Sequence, residues 1–142
     1  VASWDDVATV VARLPETSEG TAYGQQAWRF RKTLLAWARP LRAADRAALG
    51  DAAPTGELLG LKTADLDEKA DLLAVMPEVF LTTPHFDDHA VVLARLDALP
   101  VDVLERLVVQ AFVRAAPQRL VAAAGLQSPH SPPTTKPPAA VT

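Results

Sequence analysis

The chain has 142 residues, fourteen Lys and Arg against seventeen Asp and Glu, a net charge of −3, and no cysteine. That length fits one ordinary domain, large enough to hold a core without covalent staples. The missing cysteine excludes disulfides, thiolate metal sites and Cys nucleophiles, and the acidic balance runs against the strongly basic character usual in nucleic-acid-binding domains. Apolar runs such as 91–94 and 107–109 fall far short of the ~20 residues of a membrane span. The first residues lack the basic start and apolar centre of a signal peptide, so a soluble, cytoplasmic protein is expected.

In chain order, Ser3 is placed to cap a first helix, with Asp6 three residues on to complete a capping box. Trp4, Val7, Ala8, Val11 and Leu14 then recur at helical spacing until Pro15. Gly20 and Gly24 bracket a turn region. Trp28-Arg29-Phe30-Arg31 alternates aromatic with basic residues, the period of a half-buried strand with both arginines on its wet face. Leu34-Leu35-Ala36-Trp37 is its hairpin partner. Residues 41–56, with an Ala-rich helix around 43–49, read as an excursion before the sheet resumes at 58–63. Asp65, with Glu68 three residues on, opens another helix that runs to about Met76. Val79-Phe80-Leu81-Thr82 and 91–96 are two further strands, joined by Pro84-His85-Phe86-Asp87-Asp88-His89. A long helix follows from Val101 to about Ala115, with Val101, Leu104, Leu107, Val108, Ala111 and Phe112 inward. Pro117 begins a last short helix that Gly125 ends.

The predicted architecture is a single α+β domain over residues 1–126, an antiparallel sheet with helices in α-β3-α-β2-α order. Residues 127–142, with Pro129, Pro132, Pro133, Pro137 and Pro138 and no apolar periodicity, are expected to be a disordered Pro-rich tail.

Several stretches, in order, resemble the MmcQ/YjbR family: Trp4-Asp5-Asp6-Val7, Leu14-Pro15, Glu19-Gly20-Thr21-Ala22-Tyr23-Gly24 and Trp28-Arg29-Phe30-Arg31. The resemblance continues through Gly60-Leu61-Lys62-Thr63, Pro77-Glu78-Val79-Phe80-Leu81-Thr82-Thr83-Pro84-His85-Phe86 and the ending at Ala115-Ala116-Pro117 to Leu120. It implies a compact YjbR-like domain, a layout shared with double-wing DNA-binding domains and small secretion chaperones, and DNA binding by analogy of fold. Three positions depart from the family pattern: Arg31-Lys32 replaces a common hairpin Gly, Asp88 stands where Gly is frequent, and Gln118 where Lys is frequent.

The chemistry-bearing residues are few. His85, Asp87, Asp88 and His89 crowd one loop, yet Pro84 and Asp87-Asp88 make it a turn, so no metal site and no cofactor is expected. No Gly-x-Ser-x-Gly elbow or phosphate-cradling Gly loop is present, and Asp5-Asp6 and Asp67-Glu68 sit in first helical turns where the helix dipole explains them. An enzyme is therefore not expected. Trp28, Phe30 and Trp37 fit a core better than a stacking platform. Three binding readings stay open. The leading one is weak, non-specific DNA binding by Arg29, Arg31, Lys32 and Lys62 on the first hairpin and its neighbours. The others are a protein-interaction module with a protein partner, and a small-ligand site around Tyr23, Trp28 and His85.

Overall fold

The structure is a computed structural model that describes residues 1–126; the predicted Pro-rich tail, 127–142, lies outside the described residues. Among the described residues the chain forms helices α1 (Trp4–Ala12), α2 (Ala43–Leu49), α3 (Leu66–Val75), α4 (Val101–Ala115) and α5 (Gln118–Ala123). Its strands are β1 (Thr17–Ala22), β2 (Gln25–Phe30), β3 (Thr33–Ala38), β4 (Leu58–Lys62), β5 (Phe80–Leu81) and β6 (Val91–Arg95). All pair antiparallel in one sheet of order β1-β2-β3-β4-β6-β5. The α+β class holds, with one strand more than expected: residues around Gly20 form β1, and only Tyr23-Gly24 make the turn. Both turn residues have positive φ, 55° and 76°, the pattern that lets a two-residue hairpin turn follow the twist of its strands.

The helix ends follow local chemistry. Ser3 and Asp6 form the reciprocal capping box, and the Asp65 side chain accepts from the Glu68 backbone N–H. Pro100 precedes α4, whose buried stripe runs from Leu104 through Leu107, Val108, Ala111 and Phe112 to Val113; Val101 in its first turn is 39% exposed.

One face of the sheet is covered by α1 and α4. There Val7, Val11, Trp28, Phe30, Leu35, Leu59, Leu61, Val92, Leu104 and Phe112 form the main core. The Phe30 and Phe112 rings meet edge to face at 5.2 Å, and Trp4 stacks on Trp28 at 6.0 Å. The buried Trp28 indole donates to Glu19 of β1 at 3.2 Å, which satisfies its only polar atom. A bulge shifts register between β2 and β3: Trp28 pairs with Ala36 and Arg29 with Leu34, so Leu35 is the extra residue. Leu35 and Ala36 consequently both join the main core, and Trp37 turns to the other face. A second, smaller cluster lies there, built from Ala22, Ala27, Trp37, Leu58, Phe86 and Leu93. No helix among the described residues is long and apolar enough to cross a membrane.

Candidate functional site: a cation-lined cleft on the second sheet face

The second face carries a cleft of about 790 Å³. Its floor is set by a pairing in the sheet. Trp37 of β3 sits opposite Gly60 of β4, and a Cβ on Gly60 would stand 2.5 Å from Trp37 Cε2. The indole lies across the bare glycine backbone, a position that only the absence of a side chain permits. Leu34 and Val91 extend this apolar floor.

The loop between β5 and β6 makes one wall. Its backbone turns twice, Phe86 N–H to Thr83 O and His89 N–H to Phe86 O, both 2.9 Å. Phe86 drops into the second cluster, and the exposed His85 ring stands against its edge at 4.6 Å. Lys69 of α3, 4% exposed, holds the loop from beneath: its Nζ donates to the carbonyl oxygens of Phe86 and of His89, the latter at 2.9 Å. Burial pushes the Lys69 pKa down, with Asp87 and Asp88 opposing that shift. The aspartates thus serve the loop's own ammonium anchor. The His85 and His89 rings are 6.2 Å apart, and among the described residues no three His, Asp or Glu side chains group to hold a metal.

The opposite wall starts at Arg39, just past β3. Its guanidinium lies 5.1 Å over the Phe86 ring, donates to Pro40 O at 2.5 Å, and meets Asp45 of α2 at 3.1 Å. Both side chains of the ion pair are only 6% exposed. Burial raises the Asp45 pKa, but the Arg42 backbone N–H and the Arg39 and Arg42 charges outweigh it and hold the carboxyl below its ordinary value. Arg39 therefore rivets floor, α2 and loop together, and Asp45 uses up its charge. The cations left to the cleft are Lys32 at the β2–β3 turn, Arg42 before α2, and half-buried Lys62 at the end of β4. No carboxylate lines it. Tyr23, 78% exposed, stands at the mouth.

The predicted site residues divide accordingly. Tyr23, His85, Lys32 and Lys62, drawn from two separate sequence readings, line this one cleft. Trp28 does not join them, because strand alternation buries it on the helix-covered face at 1% exposure. Arg29 shares the cleft's face of the sheet, where its guanidinium runs over Gly20, but lies outside the lining. Arg31 has left strand geometry: at φ 52° it occupies the turn, bonds Glu16 at 2.8 Å and covers the Phe30 ring at 4.9 Å. A glycine would take that left-handed backbone without strain. Arg39, Arg42, Trp37, Phe86 and His89 complete the site. A signal for two of them lies in the sequence: from Gly20 to Ala44 there is no acid, and Arg29, Arg31, Lys32, Arg39 and Arg42 all fall in that stretch.

No family model matches the chain. It is 44% identical over 126 residues to "Uncharacterized protein Rv2570" of Mycobacterium tuberculosis, a match covering 87% of this chain and 95% of the relative. "Uncharacterized protein Mb2600" of Mycobacterium bovis matches to the same extent. The chain belongs to this mycobacterial protein family. Among solved structures, the Deinococcus radiodurans protein DR2400, with family-model domain DUF419, superposes with a TM-score of 0.61 over 91% of this chain and 93% of that one. At 18% identity the likeness is one of fold.

Proposed function

We propose that this domain, which we group with the MmcQ/YjbR proteins, is a cytoplasmic binding module without catalytic activity that takes an anionic ligand in the cleft. The observation that carries the reading is the charge of the lining. The protein as a whole has more acids than bases, yet Lys32, Arg42 and Lys62 line the cleft beside the Asp45-paired Arg39, and no carboxylate lines it. A concave, low-dielectric surface of one charge sign focuses field and concentrates counter-charged ligand. An apolar floor under a few charged groups is the common make-up of a small-molecule site. The lining offers no nucleophile beside a base, which supports binding alone.

Calorimetric titration with pyrophosphate and citrate at low salt tests this. Saturable one-to-one binding is expected, lost in the combined variant Lys32→Gln, Arg42→Gln and Lys62→Gln. Binding undiminished in that variant would refute the cleft as the site.

A second reading, DNA on the same face, is favoured by Arg29, which extends the cations beyond the cleft rim. Duplex binding followed by fluorescence anisotropy would then weaken steeply with salt, and Arg29→Ala would flatten the slope by about one unit. The interaction-module reading has less support: of the exposed large apolar side chains, Leu66 and Val75 stand at opposite ends of α3, Tyr23 in the β1–β2 turn, Val101 at the start of α4 and Val1 at the first residue.

A further inference from the structure

Beside the cleft lies a smaller hollow of about 190 Å³ between the sheet and α4. Thr33, Leu34 and Lys62 belong to both, so the hollow begins where the cleft ends, with Lys62 as the shared wall. Its far side is Arg114 of α4, whose Nη2 donates to the Lys62 carbonyl oxygen at 3.4 Å. Neither Lys62 nor Arg114 takes part in an ion pair among the described residues. Two half-buried cations thus stand side by side without a carboxylate in contact. After burial, the Arg114 charge is what holds the Lys62 pKa down, while the more distant Glu68 and Asp65 act on Arg114. Such a like-charge pair costs free energy in the empty protein, and an anion between the two removes that cost.

The contents of the cleft proper differ. Three cations that form no ion pair among the described residues, Lys32, Arg42 and Lys62, line it together with four rings: Tyr23, His85, Phe86 and Trp37. A monocarboxylate leaves most of that charge unanswered, whereas a phosphate ester carries about −1.5 to −2 with three acceptor oxygens. Flat rings at the mouth and wall suit a flat ligand body.

Resting on the anion-binding reading above, the geometry points to a nucleotide: a planar base held between Tyr23, His85 and the Trp37–Phe86 floor, with its phosphates running past Lys62 to Arg114. The first phosphate meets Lys32, Arg42 and Lys62. The second enters the hollow, where Arg114 supplies planar, forked donors and Thr33 a hydroxyl. A free nucleotide and the phosphorylated end of a nucleic-acid strand present the same chemistry, and the test separates them.

The full chain is titrated calorimetrically with adenosine, adenosine monophosphate, adenosine diphosphate, pyrophosphate and a single-stranded oligonucleotide with and without a 5′-phosphate. The diphosphate is expected to bind at least about tenfold more tightly than the monophosphate, the gain of one charge-assisted contact, and adenosine far more weakly than either. Arg114→Met should erase the advantage of diphosphate over monophosphate while leaving monophosphate affinity in place. Because Arg114 is half-buried, backbone amide shifts of Lys62, Thr63 and Arg114 in the unmodified protein give a second readout, moving with diphosphate and little with monophosphate. A tighter, 5′-phosphate-dependent oligonucleotide would assign the nucleotide to a strand end; equal or weaker binding assigns it to the free molecule. Pyrophosphate binding as tightly as adenosine diphosphate would overturn the planar-body proposal and leave the anion site standing. An unchanged diphosphate-to-monophosphate ratio in Arg114→Met, with unmoved Arg114 amide shifts, would overturn the second chamber. Silence from every phosphate compound would remove this proposal and the anion-binding reading together.

Discussion

The two faces of the sheet are built from the same strands and obey different rules. On the helix-covered face the side chains are apolar, deeply buried and drawn from α1, α3, α4, α5 and five strands. On the cleft face the apolar cluster is small, and a buried ion pair, a buried lysine and a ring lying on a glycine share the structural work. One face supplies stability; the other spends some of it to hold cations around a hollow. Substitutions should therefore separate: helix-face changes alter folding and leave affinity per folded molecule alone, whereas cleft-face changes move both.

The largest effect is expected at Phe112, fully buried in α4 and edge-on to Phe30. Phe112→Ala should cost about 3–5 kcal/mol in urea unfolding, with unchanged anion affinity for the protein that remains folded. A drop in affinity there would break the distinction between the faces.

Next comes Asp45→Asn, which strands the Arg39 guanidinium in a buried place and should cost about 3 kcal/mol. The same change releases positive charge toward the cleft, so pyrophosphate affinity should rise while stability falls. Its pH dependence has a definite sign. The folded-state pKa of Asp45 is depressed, so the native state binds its proton less readily than the unfolded chain. The stabilisation is present in full above the ordinary carboxylate pKa of about 4 and disappears as pH falls through the lower folded value. Melting curves from pH 7 downward should show wild type losing its advantage over Asp45→Asn in that acid range and at no higher pH.

Gly60→Ala is expected to cost about 1–3 kcal/mol, because the new Cβ collides with the Trp37 ring and forces it off the sheet. Near-ultraviolet circular dichroism should change with it, and the cleft should bind less well. Unaltered dichroism would mean that the indole can slide aside freely and that the floor is not set by the glycine. Smallest is Arg31→Ala. Its exposed pair with Glu16 should leave the melting midpoint and anion affinity within experimental error. A clear loss of affinity would return Arg31 to the binding surface and favour the hairpin reading over the cleft.

Much of the helix-covered face was legible in the sequence, because its signals are local: the Ser3–Asp6 box, the Asp65 cap, the Leu104–Phe112 stripe, the alternation of Trp28 and Phe30. β1 was not. Thr17-Ser18-Glu19-Gly20-Thr21 is polar on both sides and forms an edge strand with one neighbour, so burial leaves no period of two along it. The cleft was legible in fragments. Tyr23, Lys32, Lys62 and His85 could each be singled out, but they meet only because sheet order places β2, β3, β4 and β6 side by side. The bulge at Leu35 was invisible to simple alternation, and it is what sends Trp37 to the opposite face from Trp28. For Arg39, nothing near it in sequence announces that Phe86 and Asp45 will enclose it.

Lys69 gives the molecule a built-in chemical clock. Of the four lysines, Lys32 is exposed and Lys62 half-exposed, while Lys69 is shut beneath the loop with its ammonium spent on two carbonyls. An acylating reagent needs a free, accessible amine, so Lys69 can react only when the Pro84–His89 segment lifts. The rate at which it is labelled, read peptide by peptide by mass spectrometry, counts those openings directly. A ligand seated against Phe86 and His85 should slow that count long before it changes any property of the folded protein as a whole.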